Sequence, residues 1–384
     1  MNRLPLAPPF LFQPPVNPMS TNEVSLTPAQ VEAFGRELDA LKAEVIADLG
    51  ERDLAHIRGV IAKSHAAEIA GRAMLHFGLG PVSFLGGVAA LASAKILNNM
   101  EIGHNVMHGQ YDWSGDPALQ SSTYDWDTVC PAANWKNYHN YEHHTFTNVL
   151  GRDRDIGYAY LRVCEEQPWA PRHVVQPIVA ANLALNFQWG IATHDLRFEE
   201  YMDGRLPLRE LPRAIAPFLR KSAWLLAKDY VFFPALALAN APRVFLGNLL
   251  ANGARNVWAF AIIFCGHFPD GVAYFPEESL EGESRGAWYL RQIRGSANIE
   301  GGPLFHLFSG HLSHQIEHHL FPDVPAVRYP AMAVRVRALC EEFGVPYNTG
   351  GFWKQFGTVV KRILRLALPA RVFGSAPLAD AAAL

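Results

Sequence analysis

Histidine is the commonest protein metal ligand, and this sequence sets its histidines close together. HLSHQIEHH, residues 311–319, holds four of them and a glutamine. GHNVMHG supplies His104 and His108, HNYEHH supplies His139, His143 and His144, and His267 ends the apolar run IIFCGH. With 3.6 residues per helical turn, His104 and His108 share one helix face. His139 and His143 stand about 40° apart, with His144 swung further round. Such a set can reach two metals rather than one. A single helical histidine is usually just a satisfied polar residue, and the repetition of these pairs argues against that here. His56, His65, His76, His173 and His194 lack such partners and read as structural or solvent-facing.

The third group can be ordered by angle. If His318 and His319 both face metals, Gln315 falls about 10° from their bisector, His311 about 30° and His314 about 90°. Gln315 therefore reads as a weak ligand or a neighbour that steadies one, and His314 as a lesser candidate on the flank. Glu101, one turn before His104, is placed to fix an imidazole tautomer. No HExxH occurs, so a thermolysin-like zinc site is unsupported. Ferritin-like sites need two Glu-x-x-His motifs, and only Glu101–His104 matches. Imidazole-rich sites suit iron, copper, zinc or nickel, so the residues alone stop at two closely spaced metals.

These groups must be carried by long apolar elements. The chain has 384 residues, 49% hydrophobic and 18% charged, with a formal net charge of −3. That balance gives no global signal for nucleic acid and leaves room for membrane spans. Cys130, Cys164, Cys265 and Cys340 form no CxxC pair, which fits a reducing compartment. Residues 1–26 are proline-rich, read as a disordered tail, and lack the h-region of a secretory signal. Residues 27–58 read as an amphipathic cytoplasmic helix, with Thr27 as N-cap, Pro28 at the first turn, and a stripe of Val31, Phe34, Leu38, Leu41 and Val45.

The clearest spans are about 82–100, 222–240 and 243–266, with a weak partner in 55–80 interrupted by Lys63, Glu68 and Arg72. If all histidine groups share one side, an even number of crossings separates residue 144 from residue 267. Residues 174–193 are then interfacial. The five arginines and one lysine of 194–221 keep that segment cytoplasmic by the positive-inside rule. Residues 351–384 read as an amphipathic C-terminal helix and tail at a membrane surface. The expected fold is all-α: an integral membrane bundle of about four helices under a cytoplasmic helical cap, with 59–350 as the main domain.

GHNVMHGQYDW, HNYEHHTFTNVLG, FCGHFPDG, WYLRQIRGSANI and SGHLSHQIEHHLFPDVP, in this order, resemble the membrane fatty-acid desaturase superfamily, most of all bacterial acyl-CoA Δ9-desaturases. The resemblance spans roughly residues 60–350. It implies two non-haem irons, O2 as co-substrate, a fatty acyl-CoA or acyl-lipid substrate, and a site facing the cytoplasm of a bacterial inner membrane. A histidine at the 311 position recurs in that group, whereas the residue before QIEHH varies. The implied ligands are thus His104, His108, His139, His143, His144, His267, His311, His318 and His319. Animal members have asparagine one turn before the lone histidine, where this chain has Ile263, and histidine where it has Gln315. No HPGG haem motif is present, so the resemblance implies electrons from a separate NAD(P)H-linked reductase of ferredoxin or cytochrome b5 type. Lys136 and Arg152 flank the second group and are candidates for CoA phosphates. Competing readings are a hydroxylase of the same superfamily and a histidine-rich membrane metal carrier. The former lacks its extra histidine motifs here. The latter would place its ionisable residues at mid-membrane or in loose tracts.

Overall fold

The computed structural model of the chain describes residues 26–197, 200–201, 204 and 206–369. The two terminal tails expected from sequence lie outside the described residues, apart from the ends that join helices. Helix α1 (Pro28–Ala47) opens with a capping box, Thr27 accepting from the Gln30 amide while the Gln30 side chain reaches back. It buries Phe34, Leu38 and Leu41 against α9 (Arg285–Arg294) and α12 (Tyr329–Phe343). The apolar stripe is the reason this charged helix folds onto the molecule rather than floating beside it.

The centre is a helical bundle. Helix α2 (Glu51–Phe77) runs beside α3 (Gly80–Leu97), and both pack on α8 (Ala241–His267). Helix α7 (Leu211–Ala227) continues through a π-helical turn, Lys228–Phe232, to Leu236 and joins the same bundle. Among the described residues, two helical stretches are long and apolar enough to cross a membrane, Gly80–Met107 and Leu238–His267. The expected span 222–240 is helical but broken in character, since Lys228 and Asp229 lie in its middle. Residues 174–193 form two short helices, α5 (Gln176–Leu185) and α6 (Phe187–Asp195), broken at Asn186. Each is roughly 15 Å long, half a hydrocarbon core.

Helix α4 (Ala132–Trp135, continuing to Phe146) carries the second histidine group. Helices α10 (Pro303–Phe308) and α11 (Gln315–Leu320) flank the turn that begins the third. A small parallel ladder departs from the all-α expectation: β1 (Asn298–Glu300) pairs with β2 (Thr349–Gly351), Asn298 opposite Thr349. It ties the segment after α9 to the start of α13 (Phe352–Leu366), which buries Val359 and Ile363 and exposes Trp353.

Candidate metal centre

Four chain segments bring imidazoles to one point, and in two of them the helix is locally widened. Asn98–His104, at the end of α3, and Lys136–His143, within α4, are π-helical. In a π-turn the bonds run from i to i+5, so side chains advance less per residue than in an α-helix and successive histidines crowd inward. His267 arrives at the last residue of α8, and His318 and His319 on the short α11.

The result is two groups. Ligating nitrogens of His104, His108, His139 and His318 lie within 4.8 Å of one another, as do those of His143, His267 and His319. His144 stands between the groups, its ring 4.7 Å from those of His108 and His318 and 4.4 Å from that of His319. Nε2 of His267 and Nε2 of His319 approach to 3.3 Å. Gln315 points into the same space, its amide nitrogen donating to His267 Nε2 at 2.9 Å.

Orphaned nitrogens show what the arrangement lacks within the protein. Nε2 of His108, His139 and His143, Nδ1 of His267, and both ring nitrogens of His144 and His318 are buried without a hydrogen-bond partner. Buried polar atoms are nearly always paired, so this concentration of free imidazole nitrogens fits a site built to hold cations. Two cations, one per group, fit the donor set.

Electrostatics prepare most of these rings as neutral ligands. Burial, reinforced by neighbouring imidazoles, pushes His108, His144, His318 and His319 well below the usual histidine range. Burial also lowers His139, although Asp155 opposes the shift. His143 goes the other way: burial disfavours its charge, but Asp153 and Asp155 outweigh that and raise it to about 9. Asp153 sits 3.1 Å from His143 Nδ1, leaving Nε2 for the gap. Asp155 reaches Nδ1 of both His139 and His143 at 3.6 Å and His194 Nε2 at 3.2 Å. Thr147 and Gln292 contact His319 Nδ1 at 3.1 and 3.2 Å, orienting its ring in the same way.

A cavity of about 40 Å³ opens from the cluster, lined by His104, His139, His143, His267 and Gln315 on one side. Its other walls include Trp126, Trp135, Tyr158, Ile191, Ala259 and Ile263. A second, narrower pocket of about 10 Å³ shares Asn99, Trp126, Ile191 and Ala259 with it and is lined by none of the histidines. The paired imidazoles thus face a narrow, mostly apolar channel.

Residues 79–351 match the family described as "Fatty acid desaturase". The chain is 42% identical over 348 residues to a Mycobacterium tuberculosis protein named "NADPH-dependent stearoyl-CoA 9-desaturase", covering 90% of this chain and 82% of that one. It is 31% identical over 279 residues to the "sn-1 linoleoyl-lipid 6-desaturase" of Synechocystis, covering 70% and 76%. The chain belongs to the fatty acid desaturase family.

For a desaturase of this family, eight of the nine histidines expected as ligands converge. His311 does not. Its Nδ1 meets Glu101 Oε2 at 2.8 Å, and Glu101 Oε1 meets His56 Nε2 at 2.8 Å. Residues 309–314 form a turn rather than a helix, and His311 has φ of 54°, so an angle extrapolated back along α11 does not apply to it. Glu101 fixes imidazoles as expected, but those of His311 and His56 rather than its neighbour His104. His314 also lies outside the cluster, its ring 4.6 Å from that of His306. Lys136 donates to the Ser121 carbonyl and Arg152 to Glu277, and neither lines the cavity. Of the aromatic residues near the histidine groups, Trp126 and Trp135 are walls, whereas Trp113 is exposed.

Asp153, Asp155, His194, Thr147 and Gln292 were not singled out by sequence reasoning. The carboxylates had a signal, two acids in the GRDRD loop directly after the second group. Gln292 sits on α9, far from any histidine motif, and only the fold brings it in.

Proposed function

We propose that this desaturase uses two irons and O2 to place a cis double bond, at the Δ9 position, in a saturated fatty acyl-CoA. The observation that carries the reading is the pairing of two orphaned imidazole groups with an apolar channel that starts between them. An unactivated aliphatic C–H bond lies beyond any side-chain acid or base, so the hard chemistry belongs to the metals. When bound, two irons supply the oxidising power that removes two hydrogens from adjacent carbons. The balance closes when O2 leaves as two waters, which takes two electrons and two protons from outside the chain. The relative named as NADPH-dependent supports a separate NADPH-linked reductase as the electron source.

The protein's own part is placement. Methylenes along a chain differ only in position, so regiochemistry must come from the walls, with Trp126, Trp135, Ile191 and Ile263 holding the chain against the cluster. Burial of the cluster keeps bulk water from the reacting carbons. His104, His108, His139 and His318 would hold one iron, and His143, His267 and His319 the other, with His144 between them and Gln315 completing the second set.

The same reading places α2, α3, α7 and α8 across a bacterial inner membrane, with the histidines on the cytoplasmic side. Outward-facing Phe77, Val82, Leu85, Val231, Phe232, Leu236, Leu238 and Leu249 are exposed, and together they form the kind of apolar surface that a bilayer covers. Expression with a reductase, followed by mass spectrometry of cellular fatty acids, should show a new cis-9 monounsaturated product. Hydroxylated chains without new double bonds would sink the desaturase reading.

A further inference from the structure

The inner pocket is lined by a short loop that charged groups from three helices hold. Trp126 lines both pockets, and Thr128 and Cys130 line the inner one. The loop closes on itself through Trp126 Nε1, which donates to the Cys130 carbonyl at 2.7 Å. The Thr128 hydroxyl is 3% exposed as a residue and has no partner. Along α8, the lining residues step away from the metal centre: His267, Ile263 and Ala259 face the outer pocket, and Ala259 and Asn256 the inner one. Eleven residues of α-helix put Asn256 roughly 16 Å from His267. An acyl-CoA keeps its charged head in water, so the inner pocket receives the methyl end. This step rests on the acyl-desaturase reading above.

Between the two lining residues Trp126 and Thr128 sits Asp127, gripped from three helices. Lys228 Nζ donates to Asp127 Oδ1 at 2.6 Å from the π-turn of α7. Lys95 Nζ lies 3.7 Å from Asp127 Oδ2 on α3. Arg255 Nη1 donates to the Asp127 carbonyl at 3.2 Å from α8. Lys95 and Arg255 are both buried, and Lys95 also meets Asp229 at 2.9 Å. Arg255 in turn donates to the side chain of Asn256, itself a wall of the inner pocket. Buried ion pairs cost desolvation and seldom add net stability, whereas they do fix geometry. What this network fixes is the height of one loop relative to three helices.

We propose that residues 126–130 are the floor of the acyl channel, and that the Asp127 grip by Lys95, Lys228 and Arg255 sets its depth and so the longest chain accepted. Asp127 and Lys228 are positioning residues: they touch no substrate and act through Trp126 and Thr128. The double-bond position is counted from the head end and is independent of the floor.

The test compares hexadecanoyl-, octadecanoyl- and eicosanoyl-CoA in competition, with a reductase present, for the full chain and its variants. Thr128→Leu raises the floor and should cut the octadecanoyl to hexadecanoyl ratio of kcat/KM by about tenfold, the scale of a methylene misfit. Thr128→Ala, Asp127→Asn and Lys228→Met should each raise the eicosanoyl to octadecanoyl ratio by several-fold, all with the double bond still at the same carbon from the head. A merely structural role would lower turnover of all three substrates alike. Ratios unchanged within about twofold in both Thr128 variants overturn the proposal, even if the charge variants fail to fold. A shift confined to the Thr128 variants, with folded Asp127→Asn and Lys228→Met unchanged, overturns the grip. If the parent chain makes no unsaturated product, it is the desaturase reading that fails.

Discussion

At the scale of single residues, His311 and Gln315 exchange the parts their types suggest. His311 is buried and bonded to Glu101, whereas Gln315 is in the cage. His143→Ala and His318→Ala should therefore each lose bound metal and all measurable desaturation while the protein still inserts. His311→Ala should keep both metals but lose about 1–3 kcal/mol of stability, because Glu101 keeps only His56 as partner. Metal analysis of the purified variants decides it, since loss of one metal in His311→Ala would return that residue to the ligands. Asp155→Asn should weaken metal binding by about 10–100-fold, read by competition with a chelator, because its carboxylate stands 3.6 Å from Nδ1 of both His139 and His143. The convergence of the histidines was legible wherever they sat on one continuous helix. His311 stands apart from them because Gly310 and His311 both adopt positive φ, which breaks the helix that the spacing presumes. A Cβ on Gly310 would stand 2.4 Å from the Met100 carbonyl oxygen, so the turn presses against α3's extension and admits only glycine.

The elements answer each other's charges, and sequence windows do not see that. Helix α2 reads as a weak span because of Lys63, Glu68 and Arg72. In the fold Arg72 pairs with Glu68 at 2.7 Å and stacks over Phe233 of α7 at 3.3 Å, so partner residues from a distant helix make it a bundle member. Close backbone approach does the rest. A Cβ on Gly71 would meet the Leu91 nitrogen at 2.7 Å and the Gly87 carbonyl oxygen at 2.9 Å. Small residues of this kind are how helices associate where lipid competes for apolar contact. Gly71→Leu should prise α2 from α3 and cost about 1–3 kcal/mol or more, visible as a lowered midpoint in detergent unfolding. Two of the three π-turns among the named elements carry histidine groups. Nothing in residue types announces a π-turn, which is why helix existence and the meeting of the histidines were legible and the local widening of the helices that carry them was not.

For the molecule as a whole, the cage closes only when α3, α4, α8 and α11 are all in place, so metal and cap stabilise each other. Protein purified from iron-replete cells should hold about two irons per chain. One zinc and no iron would refute the two-iron centre. Chelation should lower the melting temperature of the cap, by an amount equivalent to about 3 kcal/mol if free metal had stood a hundredfold above its dissociation constant. The helical class, the order of the boxes and their meeting at one place were legible from the sequence. The carboxylates behind the imidazoles depend on the path of the loop after the second group, and Gln292 depends on how α9 packs against α11, which its motif does not specify. The buried pair of Lys95 and Asp229 has a further bearing, on how the chain is made. The two residues are 134 positions apart. At about 5–20 residues per second, a ribosome needs roughly 7–27 s to deliver the acid after the base. On the membrane placement proposed above, α3 carries during that interval a lysine worth about 2.5–3.5 kcal/mol against membrane entry. Asp127, 32 residues on, is the first acid to reach it, and Asp229 completes the pairing only when α7 has followed, so the finished bundle and not α3 by itself settles this lysine.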